Sequence, residues 1–134
     1  MQKITTFLMF TGQAEEAINL YLSLFKQSEI ISLTRYGPND ESGVEGSVQD
    51  AIFSLNGQAF MAIDSQIEHG FTFTPSMSLY VTCDTEAEID HLFANLAQGG
   101  EILMPLDSYP FSDKFAWIAD RFGVSWQLSF SKSS

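Results

Sequence analysis

Thr85-Glu86-Ala87-Glu88-Ile89-Asp90-His91-Leu92-Phe93-Ala94-Asn95-Leu96 reads as one helix and as the second copy of another. Thr85 and Glu88 form a capping box, in which each side chain can satisfy a free amide at a helix start. Ile89, Leu92, Phe93 and Leu96 recur at helical spacing and form one apolar stripe. Gly99-Gly100 stops the helix by permitting left-handed backbone. At an offset of 71, Glu15, Ile18, Tyr21, Leu22 and Phe25 fall on Glu86, Ile89, Leu92, Phe93 and Leu96. The earlier stripe starts at Ala14 and Ala17, after Gly12, with Glu15 and Glu16 near the positive helix end.

The surroundings of the two helices repeat as well. Residues 3–10 predict a buried strand before the first helix, and residues 28–36, 47–56 and 58–64 predict three strands after it. Asn56-Gly57 is the strongest hairpin signal in the chain, because both residues tolerate the positive φ of a two-residue turn. Residues 37–46 read as an acidic loop and 65–76 as a loop carrying Phe71 and Phe73. Residues 77–83 then alternate like a strand before the second helix. Strands are predicted over 101–104, 114–121 and 124–130, with a loop over 105–113 and a turn at Phe122-Gly123. Glu29-Ile30-Ile31 falls on Glu101-Ile102-Leu103 at an offset of 72, and Gly57, Phe60 and Ala62 fall on Gly123, Trp126 and Leu128 at an offset of 66. The expectation is α+β: one domain over 1–134, built from strand-helix-three-strand modules 1–70 and 71–134.

Composition bounds the function. The chain has 134 residues, with 6 Lys or Arg against 17 Asp or Glu, and a net charge of −11. With 45% apolar residues it can bury a core rather than remain disordered. The cations Lys3, Lys26, Arg35, Lys114, Arg121 and Lys132 are scattered, which argues against nucleic acid and anionic membranes. Cys83 is the single cysteine, so no intrachain disulfide can form, and thiol-based zinc ligation would need more sulfur. No signal-peptide pattern and no apolar run long enough to span a bilayer are seen, so a soluble cytoplasmic protein is expected.

Ala14-Glu15-Glu16-Ala17 with Tyr21 and Phe25, Cys83-Asp84-Thr85 with Glu88-Ile89-Asp90, Gly99-Gly100-Glu101 and Met104-Pro105-Leu106 form one set of motifs. Asp120-Arg121-Phe122-Gly123-Val124-Ser125-Trp126-Gln127 completes it and is its most specific part. Together they resemble the PhnB-like branch of the glyoxalase / bleomycin-resistance / extradiol dioxygenase (vicinal oxygen chelate) superfamily, over essentially the whole chain. The resemblance implies two βαβββ modules forming a half-open barrel around a cavity, and a homodimer. It also brings the label of 3-demethylubiquinone 3-methyltransferase, yet no glycine-rich strand-to-helix turn of the nucleotide-binding kind is present to hold a methyl donor.

Many superfamily members hold a divalent metal with His, Glu or Gln from the first and last strand of each module. Counting from Tyr21 and from Gly123, the corresponding positions here are Thr6, Met61, Ser78 and Gln127. Only Gln127 is a plausible hard-metal donor, and even a shifted Asp64 would leave an ion mostly hydrated, so no metal and no cofactor are expected. His91 points away from its helix stripe and reads as a surface residue; His69 lies in a loop. Cys83, with no neighbouring Lys or His, reads as a buried small residue. Strand alternation turns Trp126, Leu128 and Phe130 toward the helix and Ser125, Gln127 and Ser129 inward. The expected cavity lining is Thr6, Leu8, Phe10, Met61, Ile63, Ser78, Tyr80, Ser125 and Gln127, apolar walls with a few neutral polar groups. Phe71, Phe73, Tyr109 and Phe111 are expected to close the cavity or to meet a second subunit. The expected function is binding of a small organic molecule in an aromatic-rich cavity. The alternatives are a metal-dependent glyoxalase- or dioxygenase-type enzyme, and a structural dimer whose filled barrel binds nothing.

Overall fold

A computed structural model describes residues 2–67 and 69–132. The chain divides into two compact units, Met1–His69 and Gly70–Ser134. The first contains β1 (Thr6–Phe10), α1 (Ala14–Leu24), β2 (Glu29–Arg35), β3 (Val48–Leu55) and β4 (Gln58–Asp64). The second contains β5 (Leu79–Cys83), α2 (Glu86–Leu96), β6 (Glu101–Tyr109), β7 (Ser112–Ala119) and β8 (Ser125–Phe130). The sheet orders are β1-β4-β3-β2 and β5-β8-β7-β6. In each, the first strand pairs parallel with the last and the remaining pairs are antiparallel. Both units are thus the same βαβββ module, an α+β architecture, and the repeat extends to strand pairing.

Local chemistry explains most element ends. Asn56 (φ 52°) and Gly57 (φ 83°) are both left-handed, which matches the twist of the β3–β4 hairpin. Thr85 accepts a bond from the Glu88 amide at 3.1 Å, as a capping residue should. Glu88 reaches back one residue further than in the usual box, to the Asp84 amide at 2.7 Å. Gly99, at φ 75°, ends the helix in the left-handed region.

The core of each unit lies between its helix and one sheet face. In the second unit Ile89, Leu92 and Leu96 of α2 are buried together with Ala116, Ile118, Trp126 and Leu128 of β7 and β8. Complete burial of each large side chain contributes about 1.5–3 kcal/mol. In the first, Ala14, Ala17, Ile18 and Tyr21 of α1 share the core with Ala51, Phe53, Phe60 and Ala62, the two Phe rings stacked at 5.5 Å. Glu15 and its repeat mate Glu86 each receive a cation from the sheet, Arg35 of β2 and Lys114 of β7, the latter shared with Asp90.

Three sequence expectations need correction. The first strand starts at Thr6 rather than residue 3. The loop expected over 105–113 is largely strand, because β6 runs on to Tyr109 and β7 starts at Ser112. Pro105 is tolerated there because β6 is an edge strand, where a missing amide need not break a ladder, and the register shifts between Met104 and Asp107. The third correction concerns the direction of β1. Thr6 pairs with Phe60, Leu8 with Ala62 and Phe10 with Asp64, so these residues share the helix-side face of the sheet. Leu8 and Phe10 are 6% and 3% exposed there, whereas Phe7 on the other face is 51% exposed. Thr6, Leu8 and Phe10 therefore do not face inward as expected. Leu79 pairs with Trp126 as Thr6 pairs with Phe60, which makes the first-strand offset 73 rather than 72. A slip of one residue carries every side chain of a strand to the opposite face.

Candidate functional site

The sheet face of the second unit that points away from α2 carries a polar row and an aromatic row. Strand pairing places Tyr80, Gln127, Trp117 and Met104 in one row across all four strands. Thr82, Ser129, Phe115 and Asp107 form the next. Ser125 and Ala119 lie in the row on the other side, with Glu101.

Ser125 is the hub of the polar groups. Its hydroxyl lies 2.7 Å from Ser78 Oγ and accepts from Trp117 Nε1 at 2.9 Å. Gln127 Nε2 donates to Ser78 Oγ at 3.3 Å. Residue 78 precedes β5 by one position, so a loop hydroxyl and three strand side chains meet at one point. Ser125 is 2% exposed, so its position is set by these bonds. Gln127 stays half-buried, and its amide oxygen makes no hydrogen bond among the described residues.

Beside this cluster lie four rings. Phe115 is 3% exposed and sits within 6.5 Å of Tyr80, 5.8 Å of Tyr109 and 4.8 Å of Phe111, measured between centroids. Tyr109 and Phe111 stack at 5.6 Å. Tyr80 and Phe111 remain largely exposed. Aromatic side chains with a few fixed polar groups are the lining chemistry that small-molecule sites use.

Of the nine residues expected from the sequence, Ser78, Tyr80, Ser125 and Gln127 lie together on this face. Met61 and Ile63 lie on the equivalent face of the first unit, with Phe7 and Met9 as their β1 partners. Thr6, Leu8 and Phe10 lie on the opposite side of that sheet. Sequence reading missed Trp117, Phe115 and Phe7. Trp117 was findable, because the turn at Gly123 sets the β7–β8 register and places Trp117 opposite Gln127. Phe7 depended on the parallel β1–β4 register, which has no local signal.

The donor set does not suit a hard divalent ion. Of the four positions, Thr6 points to the helix side, Met61 is a thioether, and Ser78 and Gln127 are neutral groups bonded to each other. Asp64, the carboxylate a shifted β4 register would bring in, uses both oxygens internally: Oδ1 accepts from Gly12 and Ala14, Oδ2 from Val48. Among the described residues no three His, Cys, Asp or Glu side chains are grouped to hold a metal. His91 lies exposed on α2 near Asn95, and His69 contacts Ser65 at 2.9 Å. The helix starts are occupied too, since Asp64 caps α1 and Thr85 with Glu88 caps α2.

An open cleft of about 270 Å³ lies elsewhere on the second unit, lined by Glu86, Ser108, Asp113, Lys114, Phe130 and Lys132. Its lysine at 114 is already paired with Glu86 and Asp90.

Cys83 is buried beside α2, on the face opposite the rings. Burial, reinforced by Glu88, pushes its thiol up to about 12. Native Cys83 is therefore expected to resist alkylation by iodoacetamide at neutral pH and to react once the chain is unfolded in urea. Rapid labelling of the native protein would contradict this environment. The sign of the linked stability follows: unfolding lowers the thiol toward its ordinary 9, so Cys83 favours the fold below pH 9 and loses that contribution as pH rises to about 12.

Two tandem βαβββ modules define the class as the glyoxalase/bleomycin-resistance fold. A glyoxylase/bleomycin resistance/dioxygenase domain from Frankia sp. EAN1pec shares that fold at TM-score 0.66 and 11% identity, over 100% of this chain and 95% of that one. Residues 2–129 match the family described as 3-demethylubiquinone-9 3-methyltransferase, and the chain belongs to this PhnB-like family. It is similar to the PhnB protein of Bacillus cereus at 65% identity and TM-score 0.94, over 97% of this chain and 100% of that one. It also resembles PA1353 of Pseudomonas aeruginosa at 25% identity and TM-score 0.80, over 98% of both chains. No curated protein matches the chain significantly. Among the described residues no helix is long and apolar enough to cross a membrane.

Proposed function

We propose that the protein binds a small organic molecule on the aromatic face of its second module. The observation that carries this reading is the placement of Tyr80, Phe115 and Trp117 beside Gln127, whose amide nitrogen is held by Ser78 while its oxygen stays open to a ligand donor. The rings supply apolar area and stacking, and the Ser78–Ser125–Trp117 bonds fix the amide so that little is lost in ordering it on binding. The reading requires no metal, because every polar group in it is neutral. We further propose that the protein is a cytoplasmic homodimer, which cell fractionation and sedimentation velocity test.

A thermal-shift screen of small aromatic compounds tests the site. Binders must raise the melting temperature progressively with concentration, as linkage requires. For such a binder, Gln127→Ala is expected to weaken affinity about tenfold, the loss of roughly one hydrogen bond. His91→Ala, on the exposed side of α2, should leave affinity unchanged. Equal effects of the two substitutions, or no binder at all, would remove the assignment. Stoichiometric divalent metal in gently purified protein would overturn the metal-free reading.

A further inference from the structure

The charged side chains within the strand rows of the aromatic face carry one sign. Asp107 lies directly opposite Phe115 across the β6–β7 pair, and Glu101 lies in the row of Ala119 and Ser125. No Lys or Arg occurs in any of the three rows that form this face. The cations of the second unit are turned elsewhere. Lys114 is tied to Glu86 and Asp90 on the helix side, and the Arg121 guanidinium lies over the Phe122 ring at 4.7 Å. Lys132 follows β8, and the chain as a whole carries −11. Asp107 is exposed, with Oδ1 accepting from the Ser108 amide at 2.7 Å.

Tyr109 and Phe111 stack nearly parallel, at 16°, and both stand steeply to Phe115. Phe111 and Tyr109 meet Phe115 at 81° and 86°, and Tyr80 meets it at 40°. The face of an aromatic ring is its negative part and attracts a cation within about 6 Å of its centroid. An anionic ligand on the rings would meet the Asp107 carboxylate and no Lys or Arg of these rows, against the net charge of the whole chain. A neutral ligand would gain area alone. A cation gains area, ring faces and the Asp107 carboxylate together.

We propose that the ligand of this face is a planar organic monocation, stacked on Tyr80 and Phe111 with its charge toward Asp107; the inference rests on the small-molecule reading above. Two probes of similar shape separate the effects: N-methylquinolinium, permanently charged, and quinoline at mildly alkaline pH, where it is neutral. Affinities are read by equilibrium dialysis against the intact protein. N-methylquinolinium is expected to bind about tenfold more tightly than quinoline, an advantage that shrinks as salt is raised. Asp107→Asn, an exposed substitution whose fold circular dichroism verifies, should remove most of that advantage and leave quinoline unchanged. Equal affinities for the two probes, or an unchanged preference in Asp107→Asn, would overturn the charge assignment while leaving the small-molecule reading intact. Failure of both probes at millimolar concentration would overturn the two together.

Discussion

Gly100→Ala is expected to destabilise the protein by about 3 kcal/mol, toward the upper end of what overpacking costs. A methyl group at this position would lie 2.1 Å from the carbonyl oxygen of Ala119 and 2.9–3.0 Å from the backbone of Asp120. No flexible side chain can move aside, because the obstacle is backbone. The obstructing strand end is itself pinned: the Asp120 amide donates to Val124 and its side chain holds the following turn. The chain can accept the methyl only by separating the start of β6 from the end of β7. Gly46→Ala is the control. Unlike Gly100, Gly46 has positive φ, at 88°, but nothing lies within 4 Å of an added methyl, so only left-handed strain of about 1–2 kcal/mol is added. Urea unfolding of both variants measures the difference, and a Gly100→Ala cost no larger than that of Gly46→Ala would refute the close-approach account.

Asp64→Ala is expected to cost at least as much by a different route. Asp64 is 1% exposed and accepts from the amides of Gly12 at 2.8 Å, Ala14 at 2.9 Å and Val48 at 2.9 Å. Ala14 is the first residue of α1, and the residue before it, Gln13, provides no side-chain cap. The carboxylate of a distant strand therefore caps the helix, where its charge also suits the positive helix end. Removing it leaves three amides without their acceptor, each costing about 1–3 kcal/mol when buried. A loss of about 3–5 kcal/mol in chemical denaturation is expected. Asp64→Asn should recover part of it, because one oxygen remains to accept while the new amide hydrogens oppose Val48. Equal stability of Asp64→Ala and the natural protein would show that water or other groups satisfy these amides.

Asp64 also shows what was legible in the sequence. The two helices occupy equivalent places, yet only α2 has its cap written locally, as Thr85 and Glu88. The α1 cap comes from 50 residues away, so no pattern near Ala14 discloses it. The Asp120-Arg121-Phe122-Gly123-Val124-Ser125-Trp126 motif was visible as a sequence, but its logic is geometric. Asp120 accepts from the Phe122 and Val124 amides and from Trp126 Nε1, locking the turn that sets the β7–β8 register. Gly99 and Gly100 read alike as a helix stop, although only Gly99 has positive φ and Gly100 is there for close approach.

The amino-acid order alone determined the helices, the Asn56-Gly57 hairpin and the duplication, because helical spacing, capping and turn chemistry act between residues close along the chain. It also placed Tyr80 and Gln127 opposite the core, since Trp126, Leu128 and their polar neighbours alternate cleanly. It could not orient β1. Thr6-Phe7-Leu8-Met9-Phe10 is apolar on both faces, and its direction is decided by a parallel pairing with β4, which lies more than 50 residues later. Only that tertiary contact buries Leu8 and Phe10 with the helix and turns Phe7 outward, because hydrogen bonding in parallel strands fixes side-chain direction wherever hydrophobicity offers no choice.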